Sequence, residues 1–266
     1  MKAKSKFRFT RKALAYPYML FLLIFVVVPL VIILINAFLT DDNSFTLNNF
    51  VEFFSDNGGG LTVLGNSLLI GVVTTVICLA IGYPVAYFLA KYHASNKVLV
   101  LFFIMPMWVN FLMRTLSTKA IFLALDVELG MGTVLFGMVY NYLPYMILPL
   151  HTTLVSIDHS FIEASEDLGA DKFTVMTKTI IPLSLPGIMS GITMTFIPAI
   201  STFAISEVLS SSKIFLFGDA INMHFSKATN SFGVGSVMSL VMLVLVIVCN
   251  VITNMTSKDE GVKSAL

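Results

Sequence analysis

The stretch 163-EASEDLGADKFTVMTKTIIPLSLPG-187 is polar and ordered where its neighbours on both sides are apolar enough to lie in a membrane. Five acids (Asp158, Glu163, Glu166, Asp167 and Asp171) fall within fourteen residues, Gly169 stands before the last of them, and Pro182 and Pro186 follow. Ser160-Phe161-Ile162-Glu163 has the Ser-x-x-Glu form of a capping box, which predicts a helix start. Phe161, Ala164, Ser165 and Leu168 then share one face at i, i+3, i+4 and i+7, and Glu163, Glu166 and Asp167 occupy the rest. Acids early in a helix suit its dipole, and Gly169 can take the left-handed conformation that closes one. A helix of about two turns is too short to be stable alone in water. On these residues alone it is either a solvated connector or a segment that docks against something.

The surroundings of the segment are those of a membrane protein. Hydrophobic residues make up 57% of the 266, and charged residues only 12%; the mean hydropathy is +0.90. Soluble domains average about 45–50% apolar and ~25% charged residues, so one water-soluble core cannot hide this surface. Cys78 and Cys249 lie inside apolar runs without ligand spacing and read as packing or lipid-side residues rather than a disulfide or zinc pair. The first apolar run follows a basic start (Lys2, Lys4, Lys6, Arg8, Arg11, Lys12). It is longer than the ~7–15 residues of a signal-peptide core and lacks an Ala-x-Ala site, so a retained helix is expected.

Six spans are expected, at about 17–39, 64–90, 98–117, 134–156, 183–206 and 233–254, each near the ~20 apolar residues that cross a bilayer. Lys and Arg orient them. Segments 1–16, 91–97, 157–182 and 255–266 carry six, two, two and two, against none, one and two in 40–63, 118–133 and 207–232. That bias places both termini, and the acidic segment, in the cytoplasm. The organisation expected is a basic cytosolic arm (1–16), a membrane domain (17–255) with a cytosolic helix at about 158–178, and a cytosolic tail (256–266). The fold class is an all-α, multi-pass membrane protein. Pro84, Pro106, Pro144, Pro149 and Pro198 fall inside spans, where they either bend helices around a cavity or are tolerated as membrane prolines commonly are.

Glu163-Ala164-Ser165, three residues, Gly169, nine residues, then Thr179-Ile180-Ile181-Pro182 resembles the EAA motif of ATP-binding-cassette importer permeases. That pattern runs Glu-Ala-Ala, three residues, Gly, nine residues, Ile-x-Leu-Pro. Ser165 replaces the second Ala, Thr179 the Ile and Ile181 the Leu. The motif falls in the cytosolic loop before the penultimate helix, as in the family, and the six-helix layout extends the likeness over nearly the whole chain. The resemblance implies a coupling helix, with Glu163, Ala164, Ser165, Asp167, Gly169 and Pro182 engaging a separate ATPase subunit. It also implies a homologous second permease, a pair of cytosolic ATPases, an external substrate-binding protein and a bacterial plasma-membrane location. ATP and Mg would be bound by the ATPase subunits, with no cofactor in this chain. The sequence holds no Gly-x-x-x-x-Gly-Lys-Ser/Thr loop, His-Glu-x-x-His or Gly-x-Ser-x-Gly, so a permease without its own ATPase site is expected. Lipid is an expected partner and nucleic acid is not.

Polar residues inside a membrane are default site candidates, because each costs at least ~2–3 kcal/mol at the bilayer centre. Trp108, Asn110 and Arg114 form one such cluster in the third span, and Phe203 with Glu207 a second at the outer end of the fifth. Both clusters resemble spermidine/putrescine permeases, which implies a polyamine cargo. Glu207 would supply charge, and Phe203 and Trp108 cation–π contacts of ~0.5–2 kcal/mol. Phe203 and Glu207, four residues apart, are expected on one helical face, offering both to the same ammonium. Plainer readings stand beside these: Trp108 as an interfacial anchor, Arg114 paired with an acid or snorkelling outward, Glu207 as a solvated helix end. Alternatives for the whole chain are an importer permease for an anion or iron complex, or an ion-coupled carrier, although inverted repeats and broken midplane helices are not evident.

Overall fold

A computed structural model describes residues 15–40, 44–55, 59–91, 97–211, 214–226 and 232–263. Most of the basic arm, the acids Asp41, Asp42 and Asp56, and the last three residues of the tail lie outside them. Among the described residues the secondary structure is helical, apart from one isolated bridge between Leu39 and Phe45.

The first helix, α1, runs as Ala15–Leu22, a π-turn at Leu23–Val27 and Val28–Ala37. Then come α2 (Asn48–Phe54), α3 (Gly60–Lys91), α4 (Lys97–Ile104), α5 (Phe111–Ala124) and α6 (Met131–Ser156). The acidic segment forms α7 (His159–Asp167). It is followed by α8, which runs as Lys172–Val175, a π-turn at Met176–Ile180 and Ile181–Leu183. The chain closes with α9 (Leu185–Ser201), α10 (Ala204–Ser210), α11 (Phe217–Phe225) and α12 (Phe232–Lys263). The two π-turns share a cause. Each stands just before a proline, Pro29 or Pro182. The missing N–H and the ring displace the helical ladder, leaving i→i−5 bonds from Val28 to Leu23 and from Ile181 to Met176.

Tyr16–Ala37, Gly60–Lys91, Met131–Ser156 and Phe232–Thr253 are long and apolar enough to cross a membrane, close to four of the six expected spans. The other two differ from expectation. The third is interrupted: α4 ends at Ile104, a 3₁₀ turn covers Met105–Trp108, and α5 restarts after Asn110. Pro106 cannot continue the ladder, and the Asn110 side chain accepts the Leu112 N–H at 2.9 Å as a new N-cap. The fifth span stops at Ser201, because Thr202 is extended and α10 begins separately at Ala204. At its other end α8 and α9 meet at a 64° bend. Pro84, Pro144, Pro149 and Pro198 do not break their helices.

The core forms where α3, α6 and α9 pack together. In lipid there is little hydrophobic drive between helices, so close approach of small residues holds them. One stripe of α3 has this character: Ser67, Gly71, Thr74, Cys78, Gly82 and Ala86 are all buried. Against it lie Met138, Met146 and Leu150 of α6, with Ile205 and Leu209 of α10 in the same cluster. A second cluster joins Ala37, Phe53, Ile200, Phe217, Val237 and Met238.

Candidate functional site

Two places gather the residues singled out in the sequence, one at each end of α9. At the first, α7 starts two residues earlier than the capping-box reading expects. Asp158 is the N-cap, its carboxylate accepting the Ser160 N–H at 3.0 Å. Ser160 therefore lies inside the helix. Glu163 pairs with His159 at 3.2 Å, on the same face, instead of reaching back to a cap. That hydrogen bonding, from the Ser160 backbone first, holds the Asp158 carboxyl below the usual range.

The stop is where the sequence places it. Gly169 has φ +83°. Its N–H donates to the Glu166 carbonyl at 2.8 Å, and the Ala170 N–H to that of Ser165 at 3.2 Å, the bond pair of a Schellman motif. Asp171 stands at the N-cap position of α8 and accepts the Thr174 hydroxyl, which holds its carboxyl low as well. Ser165, which stands where the motif has alanine, receives the Thr179 hydroxyl at 3.2 Å, and Thr179 stands where the motif has isoleucine. The two departures from the pattern meet each other.

Ile162 packs on the core cluster, whereas Phe161, Leu168 and Phe173 are 55%, 89% and 75% exposed. Ala164, Glu163, Asp167 and Pro182 are exposed too. An amphipathic helix ordinarily turns its apolar stripe inward; α7 turns Phe161, Ala164 and Leu168 out. Behind it, Ser184 at the 64° bend exchanges a 2.9 Å hydrogen bond with Tyr83 of α3.

At the other end, the expected cluster separates into two cavities. Phe203 lines one of about 270 Å³ with Arg114, Asn141, Tyr142 and Tyr145. Glu207 lines another of about 240 Å³ with Asp219, Asn222 and Ser226. The break at Thr202 makes Phe203 the residue before α10, so it no longer shares a helical face with Glu207 in the expected way. Trp108 is 81% exposed in its 3₁₀ turn and lines neither cavity. The Asn110 oxygen is engaged as the cap of α5. Arg114 is buried, with its guanidinium carbon 5.7 Å from the centre of the Tyr140 ring.

Two residues absent from the expected set belong here. Asp219 is buried and accepts from the Ser206 hydroxyl at 2.7 Å and the Leu216 N–H at 2.8 Å. Burial pushes its carboxyl up from the usual range, with nearby Glu207 adding to the effect, while the two donors oppose it. Asn141 is buried in mid-helix. An intramembrane amide is a signal of the same kind as Asn110, so it was legible. Asp219 was not, because the Ser206 hydroxyl that engages it comes from another helix.

Residues 81–258 match the family described as binding-protein-dependent transport system inner membrane component. The chain is 32% identical to the spermidine/putrescine transport system permease protein PotB of Haemophilus influenzae, over 91% of each. It is 33% identical to that of Escherichia coli, over 84% of this chain and 92% of the relative. Among solved structures, a bacterial alginate ABC transporter in complex with its alginate-bound periplasmic protein superposes with a TM-score of 0.71 at 11% identity, covering 93% of both chains. The inward-facing MetNI methionine ABC transporter superposes with a TM-score of 0.63 at 15% identity, covering 75% of this chain and 95% of the other. The fold is that of ABC-transporter permeases, and with a family match across two thirds of its length the chain belongs to the inner-membrane components of binding-protein-dependent transport systems.

Proposed function

We propose that the chain is one transmembrane subunit of an ATP-driven, binding-protein-dependent importer of polyamines. The observation that carries this reading is α7: a capped helix that turns Phe161, Ala164 and Leu168 away from its own protein, as a helix built to enter a partner would. The polyamine cargo rests on the spermidine/putrescine permeases that the chain resembles over most of its length. Six spans, counting the interrupted third and the bent fifth, with both termini cytosolic, are supported by the Lys and Arg bias. On this reading α7 faces the cytosol and seats in one of two ATPase subunits, which bind ATP and Mg. A homologous permease completes the path, and an external binding protein delivers the cargo.

Mechanism follows from the connections. Movement of an ATPase presses on Phe161, Leu168 and the acids of α7. The Ser165–Thr179 bond transmits it to α8, and the bend at Ser184 passes it to α9. The far end of α9 carries the Phe203 cavity and leads to the Glu207 cavity, so a tilt of this helix alters both. Glu207 supplies charge for an ammonium group, and Phe203, in the separate cavity beside Arg114, an apolar wall for the cargo's methylene chain.

Reconstitution tests the reading. In liposomes the complete complex should take up spermidine or putrescine with ATP and binding protein present. This chain alone should neither hydrolyse ATP nor accumulate either amine. Gradient-driven uptake by the single subunit would replace the importer with an ion-coupled carrier.

A further inference from the structure

We propose that the cavity beside Arg114 is a receptor for a carboxylate that this chain does not itself supply. Arg114 is 7% exposed, and its Nε and Nη1 are buried without a hydrogen-bond partner. Asn141 is 1% exposed; its Nδ2 donates to the Gly137 carbonyl at 2.8 Å, which fixes the orientation of the amide. Its Oδ1 is then the atom left buried and unpartnered. Both side chains line the same cavity of about 270 Å³.

No Asp or Glu lines that cavity, nor the larger apolar one on the other side of Arg114, where Tyr140 lies. Among the described residues Arg114 has no carboxylate partner. The Tyr140 ring offers a cation–π contact at 5.7 Å. It accepts no N–H from Nε or Nη1, which remain free. A guanidinium keeps its charge, and a buried charge is tolerated when it is paired and hydrogen-bonded. The missing group is therefore an anion with acceptor oxygens. Asn141 adds a second requirement, since its free oxygen calls for a donor beside that anion. A carboxylate with a neighbouring O–H or N–H, or with an ordered water, meets both.

The same geometry rules out the ammonium of a cationic cargo, which Arg114 would repel. The cavity is a positive subsite next to Phe203, distinct from the acidic one at Glu207 and Asp219. Two sources can provide the carboxylate: a side chain of the neighbouring permease subunit, or a free small carboxylate. The inference does not rest on the identity of the cargo, and its test does not measure uptake.

The experiment uses the purified complex, in wild-type form and with Arg114→Gln, Arg114→Lys or Asn141→Asp. Acetate or lactate is titrated against the bulky HEPES anion at constant ionic strength while thermal unfolding and retention of the second permease are recorded. With a free carboxylate, the wild-type unfolding temperature rises saturably. Arg114→Gln weakens that response about tenfold or more, Arg114→Lys weakens it less, and Asn141→Asp abolishes it by placing a carboxylate inside the cavity. With a partner side chain, the wild type shows no anion response, while Arg114→Gln and Asn141→Asp both lose the second permease on purification. An anion response that is unchanged in Arg114→Gln and Asn141→Asp overturns the proposal. So does a complex that shows no response and keeps its second permease in both variants. If Arg114→Gln does not fold, Asn141→Asp and Arg114→Lys decide by the same readouts.

Discussion

The helices at the two ends of α9 are equally unable to stand alone, and they are stabilised in opposite ways. At the 201–226 end, α10 has seven residues and buries five of them, Ala204, Ile205, Ser206, Leu209 and Ser210. Asp219 of α11 ties it down through Ser206. At the 158–183 end, α7 has nine residues and buries none. Beyond the half-buried Ile162 and the Ser165–Thr179 bond, it is held by its termini: Asp158 at its start and the Schellman bonds at Gly169 at its stop. Short helices have little intrinsic stability, so one is fixed by packing and the other by capping. Packing leaves little surface over, whereas capping leaves Phe161, Ala164 and Leu168 turned outward. The difference separates a part completed within the chain from the part that the proposed function seats in an ATPase subunit.

The strongest way to break this contrast is one glycine at each end. A Cβ on Gly169 meets nothing within 4 Å, so substitution there strains only the left-handed backbone, by about 1 kcal/mol. Gly169→Asp, and Glu163→Lys beside it, should insert and fold normally yet lose roughly tenfold or more of substrate-stimulated ATPase activity in the assembled complex, if coupling is transmitted there. Gly169→Asn, equal to Asp in size and in left-handed tolerance but without the added charge, should keep most of it. A Cβ on Gly218 would meet backbone instead, the carbonyl oxygens of Thr202 and of Ser201, the latter at 2.6 Å. Gly218→Ala should cost about 1–3 kcal/mol of stability, seen as a lower unfolding temperature and yield. Normal coupling in Gly169→Asp, or an undisturbed fold in Gly218→Ala, would erase the distinction.

A smaller effect sharpens the picture of the 201–226 end. Glu207 and Phe203 line different cavities. Glu207→Gln should raise the half-saturation for polyamine uptake by about ten- to a hundredfold through loss of a charge-assisted bond, and Phe203→Ala by less. Because the two do not share a cavity, the double variant should show the product of the single effects. An effect in the double variant well short of that product would return both side chains to one ammonium. Wild-type kinetics in Glu207→Gln would make it a solvated helix end.

The smallest effect is in pH, where the two ends have opposite signs. The Asp158 and Asp171 carboxyls are held below 3.8 in the folded chain. The folded state thus holds their protons more weakly, and their contribution, present at neutral pH, is lost as pH falls through the folded values. Asp219 is raised above 3.8. Its contribution is present below that ordinary value and is lost as pH rises through the folded one. On acidification the 201–226 end should tighten first, and the α7 end should loosen only near and below pH 4. Hydrogen exchange, corrected for intrinsic rates, reads both segments at once. Asp219→Asn should remove the acid gain at one end, and Asp158→Asn the acid loss at the other. Changes of the same sign at both ends would contradict the assignment.

Much of this molecule was written locally. The apolar runs that predict spans at 17–39, 64–90, 134–156 and 233–254 correspond to continuous helices at Tyr16–Ala37, Gly60–Lys91, Met131–Ser156 and Phe232–Thr253. Length of apolar sequence and the left-handed tolerance of Gly169 act within a few residues, so no knowledge of distant contacts was needed. Choices between near-equal local options were less legible. Asp158 and Ser160 can both cap a helix, and the carboxylate prevailed; the third apolar run gave way at Pro106 because Asn110 offered a new start. The cavities were decided by tertiary structure alone. Arg114, Asn141 and Phe203 come from three helical regions, and only the packing of α5 and α6 beside the break at Thr202 places them around one space. Pattern along a chain sets which residues are polar and which face they share, but a cavity is bounded by side chains from several helices, and no single run of sequence contains its walls.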